Sequence, residues 1–129
     1  MVVMTSFDAL VELMEFMRGP QGCPWDREQK ISSFKKFLAE ESGEALEAIE
    51  KEDYKNLCEE LGDLLWHVIF ISQIAKEEGL FSIEDVMDGL RKKIVRRHPH
   101  VFGDKKGNIS VEEVMREWEA IKAREKGEA

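Results

Sequence analysis

Apolar residues recur along this chain at the three- and four-residue intervals of a helix, and no stretch shows the strict alternation of a half-buried strand. Phe7, Leu10, Val11, Met14 and Met17 form a first stripe, which predicts a helix from just after Ser6 to about Met17. Gly19, Pro20, Gly22 and Pro24 then break the pattern, and RGPQGCPWD reads as a stiff loop. A second helix is expected over roughly Ser32 to Lys51, and a third from about Asp53 to Glu78 with Gly79 as its C′ residue. The fourth opens on Ser82 as N-cap, with Asp85 three residues on, and runs to about Arg97. Its acids (Glu84, Asp85, Asp88) precede its bases (Arg91, Lys92, Lys93, Arg96, Arg97), the order that the helix dipole favours. Pro99 ends it, and HPHVFGDKKGN reads as a loop. Ser110 caps a last helix, with Glu113 at the capping-box position, that runs to about Lys126. The pattern predicts an all-α fold: a compact bundle of roughly five helices in a single domain spanning 1–129.

The third helix complicates that picture. Leu57, Leu61, Leu64, Val68, Ile71 and Ala75 form its main stripe, yet Cys58, Trp66, Ile69 and Phe70 make its back apolar too. A helix apolar on nearly every side is either central in its domain or part of a subunit interface. With so few helices available, an interface is expected, the core helices being completed by dimerisation. On the fourth helix Ile83, Val86, Met87, Leu90 and Ile94 are expected to face the core.

Charge narrows the function. The net charge of −8, from 27 acidic and 19 basic side chains, argues against a nucleic-acid polymer as partner, because backbone binders present a basic surface. A small anionic substrate still fits, since a metal ion can bridge acidic protein to acidic ligand. Cys23 and Cys58 are too few for a disulfide framework and lack zinc spacing, which points to a reduced, cytoplasmic protein. The N-terminal MVVMTSFDALVELMEF has no basic n-region, and Asp8, Glu12 and Glu15 interrupt it, so it does not read as a signal peptide. No run approaches the roughly 18 apolar residues of a membrane span, so no membrane partner is expected.

Within the acidic total, some carboxylates stand where carboxylates are expensive. On a helical wheel centred on Glu41, residues Phe34, Phe37, Leu38, Ala45, Ala48 and Ile49 fall within roughly 80°. Glu44 lies about 60° off and Glu40 about 100° off, at the edge of the stripe. Glu47 and Glu50 occupy the outer face. On the third helix Glu60 falls inside the apolar stripe and Asp63 flanks it. Glu41, Glu44, Glu60 and Asp63 are thus two pairs, each spaced i, i+3, on or beside core-facing stripes. Four unpaired anions cannot share a dry core, since each costs several kcal/mol or more. Two resolutions stand at this point: a hard divalent cation, which takes oxygen ligands at about 2.1 Å in the case of Mg²⁺, or ion pairs with neighbouring lysines and arginines. The fourth helix carries Lys93 and Arg97 one i, i+4 step apart, so both can reach one anion. Taken alone they read first as a match to the helix dipole or as ion-pair partners of the acids; only together with the acid cluster do they suit a polyphosphate.

EESGE (40–44) followed by EELGD (59–63) resembles the EExxE…ExxD signature of MazG-type nucleoside triphosphate pyrophosphohydrolases. CPWD (23–26), RRHPHVF (96–102) and EEVMREWEAIK (112–122) agree with the same family, in order along nearly the whole chain. The resemblance implies an all-α homodimer or homotetramer that hydrolyses a nucleoside triphosphate between its α- and β-phosphates, giving nucleoside monophosphate and pyrophosphate. It implies Glu41, Glu44, Glu60 and Asp63 as ligands of Mg²⁺, with Mn²⁺ as a substitute. Glu40 matches the first acid of the motif and, with Glu41, is implied as the group that activates the attacking water. Lys93 and Arg97 are implied as triphosphate contacts, Trp118 as an aromatic near the nucleotide, and Trp25 as part of the substrate end, with Asp26 beside it. No side-chain nucleophile is required, and His67, His98 and His100 are expected to be structural. This chain departs from some relatives at Asn56, where they carry a basic residue. Many relatives hold two copies of the domain, and CPWD and HPHVF are typical of the first. Rival expectations are a non-catalytic helical dimerisation module that binds nucleotide or metal, and a relative specialised for dUTP or phosphoribosyl-ATP.

Overall fold

The computed structural model describes residues 4–103 and 109–127, and every regular element among them is a helix. The chain divides into two compact units, Met1–Ile83 and Glu84–Ala129.

In the first unit, α1 (Ser6–Met17) is capped by Thr5 rather than Ser6: the Thr5 hydroxyl accepts from the Asp8 N–H at 3.1 Å. The stretch read as one loop contains two short helical elements, α2 (Pro24–Glu28) and a 3₁₀ turn at Ile31–Ser33. Pro24 was expected to break structure, but at the first turn of a helix a proline lacks only an N–H that would have no partner, so it starts one. Before it, the chain doubles back tightly. The Cys23 N–H donates to the Met17 carbonyl at 2.8 Å, and a Cβ at Gly22 would lie 2.2 Å from that same oxygen, so no other residue fits without moving the turn.

The remainder of this unit is a helical hairpin. α3 (Phe34–Glu50) and α4 (Tyr54–Glu77) are joined by residues 51–53, with Asp53 capping α4 through the Asn56 N–H at 3.2 Å. Glu52, at the middle of the turn, has φ 55, left-handed for a non-glycine residue. At the far end Gly79 takes φ 72 and the Leu80 N–H donates to the Ala75 carbonyl at 2.9 Å, the C-terminal stop that the sequence predicted. Met14, Phe34, Ile69, Phe70 and Ile74 form the buried core, where α1, α3 and α4 meet.

That core corrects the expectation for α4. Its buried apolar residues are Ile69, Phe70, Ile74 and Ala75, whereas Leu61, in the stripe assigned to the interior, is 54% exposed and Val68 is exposed too. A wheel shows that α4 is apolar on two sides but does not say which side its neighbours cover; α1 and α3 cover the side of Ile69 and Phe70. Ile49 of α3, also expected inside, is exposed near the hairpin turn.

From Glu84 on, the second unit holds the rest of α5 (Ile83–Arg96), α6 (Pro99–Phe102) and α7 (Val111–Gly127). Pro99 again begins a helical turn inside a predicted loop; residues 104–108 of that loop lie outside the described residues. The Ser110 hydroxyl accepts from the Glu113 N–H at 3.2 Å, as expected. Along α5, Ile83 is buried, but Val86, Met87, Leu90 and Ile94 are exposed, contrary to the core-facing expectation. Helical period gives the direction of an apolar stripe, not an element to cover it. No helix among the described residues is long and apolar enough to cross a membrane.

Candidate metal centre and its aromatic cleft

The hairpin turns the two acidic pairs toward each other. Glu41 on α3 is 9% exposed and Glu60 on α4 is 8% exposed, so the two acids placed at the centre of apolar stripes are indeed inside. Carboxylate oxygens of Glu41, Glu60 and Asp63 all lie within 4.8 Å of one another. Glu44 is exposed and not one of these three, but its carboxyl stands against that of Glu60.

Among the described residues no lysine or arginine neutralises the cluster, and the protonation equilibria shift accordingly. Burial, with Asp63 and Glu44 adding repulsion, holds the Glu41 carboxyl above the ordinary carboxylate range. Glu44 is raised chiefly by the Glu60 carboxyl beside it, and Glu60 chiefly by Glu41. Glu41 Oε1 and Glu60 Oε2 are buried without a hydrogen-bond partner. Hard, converging, unpartnered carboxylate oxygens suit a hard divalent cation, so the residues fit one.

Beside the acids opens a cleft of about 220 Å³, lined by Glu40, Glu41 and Glu44 and by Trp25, Asp26, Phe34, Phe37, Trp66, His67 and Phe70. Trp25, on α2, packs its ring 5.8 Å from that of Phe37 and leaves 53% of its surface exposed. Glu40, expected at the edge of the stripe, is exposed at the rim, with Lys36 Nζ 3.9 Å away. Of the residues singled out in the sequence, Glu40, Glu41, Glu44, Glu60, Asp63 and Trp25 therefore come together in one unit.

Lys93, Arg97 and Trp118 lie in the second unit, where Arg97 has partners of its own. Its NH2 donates to Glu125 Oε1 at 2.8 Å, and its guanidinium sits 5.5 Å over the Trp118 ring. Arg96 Nε donates to the other Glu125 oxygen at 2.5 Å, and the two arginines hold the Glu125 carboxyl down at about 2. Lys93 is half-buried.

Sequence reasoning missed part of the cleft. His67, assigned a structural role, lines it; its Nδ1 is buried without a partner, and burial lowers the ring's pKa. The signal was present, because His67 follows Asp63 by one helical turn and Glu60 by two. Asp26, only loosely placed from sequence, is buried in the same wall.

Residues 29–102 match the model of the MazG nucleotide pyrophosphohydrolase domain. The chain is 50% identical over 121 residues to a nucleoside triphosphate pyrophosphohydrolase/pyrophosphatase MazG of Thermotoga maritima, covering 94% of this chain and 46% of that protein. It is 43% identical over 126 residues to a nucleoside triphosphate pyrophosphohydrolase of Escherichia coli K12, covering 97% of this chain and 48% of that one. The chain thus spans about half the length of these curated relatives. A crystal structure of a MazG-related protein from Thermotoga maritima superposes with a TM-score of 0.74 at 31% identity, over 90% of this chain and 98% of that one. With its acidic hairpin, its matched segment and its fold in accord, the chain belongs to the MazG nucleotide pyrophosphohydrolase domain family.

Proposed function

We propose that this chain hydrolyses nucleoside triphosphates between the α- and β-phosphates, in a Mg²⁺-dependent reaction that releases a nucleoside monophosphate and pyrophosphate. The observation that carries the reading is the acid cluster on α3 and α4, in which Glu41 and Glu60 are buried, each with an oxygen lacking a partner, and Asp63 is exposed beside them. Glu41, Glu44, Glu60 and Asp63 are the residues that would hold the cation. Bound there, a divalent ion supplies Lewis-acid chemistry, neutralising phosphate oxygens and making a water more acidic. Glu40 and Glu41 both line the cleft, which supports assigning them to take the proton of the attacking water. Trp25 offers an exposed ring face for a nucleoside. Lys93 and Arg97 are proposed to draw charge from the leaving pyrophosphate, and Trp118 to lie near the nucleotide. The exposed apolar residues Leu46, Ile49, Leu61 and Leu65 support a second copy of the chain as partner across the hairpin, in a homodimer or homotetramer.

A panel of nucleoside triphosphates with Mg²⁺, assayed for pyrophosphate and for orthophosphate, tests this. Pyrophosphate from several substrates is the expected result. Turnover of dUTP or phosphoribosyl-ATP alone would indicate a specialist, and no product from any of them would leave only a binding module.

A further inference from the structure

Besides Asp26, Glu41 and Glu60, the first unit holds a further charged side chain that is largely out of solvent, and it converges on the wall that carries Trp25. Arg18, which ends α1, has a side chain only 8% exposed. Its Nε and NH2 each donate to one oxygen of the Glu77 carboxylate at 2.8 Å, a fork that pins the end of α1 to the end of α4. Its NH1 donates to the Asp26 carbonyl and, at 3.4 Å, to the Gln29 carbonyl, the last turn of α2 and its cap. The guanidinium lies 5.7 Å from the centre of the Phe70 ring, and Phe70 lines the cleft. One planar group thus joins three elements, two of which form the cleft. α2 is a helix of only five residues, held by the packing of Trp25 on Phe37, by Arg27 NH1 donating to the Gly19 carbonyl at 2.8 Å and by the ties from Arg18. Stability alone does not account for the arrangement: the Glu77 side chain is 40% exposed, and an ion pair with one partner in solvent is a weak stabiliser.

We propose that Arg18, oriented by Glu77, is a positioning residue that fixes α2, and with it the Trp25 face and Asp26, at the distance from the acids that a bound nucleotide needs. The inference rests on the reading of the cleft as the nucleoside site. Arg18 touches neither the acid cluster nor any group assigned to proton transfer. Its loss should therefore weaken substrate binding and leave the chemical step alone. Lysine keeps the charge but cannot make the fork and reach the α2 carbonyls together.

The test is steady-state kinetics on the full chain with the triphosphate it turns over best, for Arg18→Lys, Trp25→Ala and the double variant. Arg18→Lys should raise KM about tenfold with kcat within about twofold of the parent, as expected of a displaced binding wall. Because Arg18 acts through α2, the same change on the Trp25→Ala background should add little. A fall in kcat at constant KM, or the same rise in KM in both backgrounds, would overturn the inference. Glu77→Gln leaves the arginine in place while weakening the fork, and should give the same pattern at smaller size if Arg18→Lys does not fold. Amide hydrogen exchange reads the tether without substrate. Residues 24–29 should exchange faster in Arg18→Lys while α3 keeps its protection, and unchanged exchange there sinks the proposal even in a chain that hydrolyses nothing. A parent protein that yields no pyrophosphate, with exchange changed as expected, would instead refute the proposed activity and the role assigned here to the tether.

Discussion

Glu60 and Glu125 are both carboxylates among charged neighbours, and their surroundings push them in opposite directions. Glu60 is buried beside Glu41, Glu44 and Asp63, has one oxygen without a partner, and is held above the ordinary range. Glu125 lies between two guanidiniums, has both oxygens bonded, and is held at about 2. The second cluster balances its charge from within the protein; the first does not. A chain with 19 basic residues had the means to neutralise four acids, and among the described residues none is used there. The imbalance is local to the hairpin, which is why it points to a cation from solution rather than to an overall excess of acid.

The strongest way to break this comparison is to remove a carboxylate from each cluster. Asp63→Ala should lower pyrophosphate release about a thousandfold, since the cation's contribution is worth several kcal/mol. Glu125→Ala should lower kcat far less, and its effect should appear mainly in KM. Comparable losses in kcat would erase the distinction.

Cation linkage gives a smaller effect that needs no substrate. Saturating Mg²⁺ should stabilise the chain by about 2.7 kcal/mol at a hundred times its dissociation constant, read as a rise in Tm over an EDTA control. Glu41→Gln should lose that rise, and in EDTA it should melt no lower than the parent, because it removes a buried unpaired charge.

The pH dependence should be the smallest effect and the sharpest in sign. Without cation, the raised carboxyls of Glu41, Glu44 and Glu60 contribute stability that is fully present below the reference value of 4.5 and is lost as pH rises through their raised values. Glu125, lowered to about 2, contributes stability that is present above 4.5 and is lost as pH falls toward 2. Tm followed across pH in EDTA should therefore decline on both sides. Glu60→Gln should flatten the upper decline and Glu125→Gln the lower one, while Mg²⁺ should flatten only the upper one.

The acids were legible in the sequence because a glutamate on an apolar stripe is conspicuous; helical period places Glu41 inside, whereas Glu60 is buried although Leu61 and Val68 of the stripe assigned to it are exposed. The same period could not choose between the two apolar sides of α4, since that choice depends on where α1 and α3 pack. Pro24 and Pro99 were read as breaks, although each begins a short helix, because a proline's meaning depends on whether it falls at the first turn or later. The Arg97–Glu125 pair and the Arg18–Glu77 fork left no local trace. Their partners are 28 and 59 residues apart, and only the folded chain brings them together.

The turn at residues 51–53, with Glu52 at φ 55, has a consequence for how the protein reaches its native state. Both acid pairs hang on one hairpin, so the cluster assembles through contacts that are short-range along the chain, the kind that form early in folding. In cation-free solution, closing that hairpin brings carboxylates together before the core has been completed. A divalent ion that binds them should act on the barrier as well as on the final balance, so refolding followed by stopped-flow should be faster in Mg²⁺ than in EDTA.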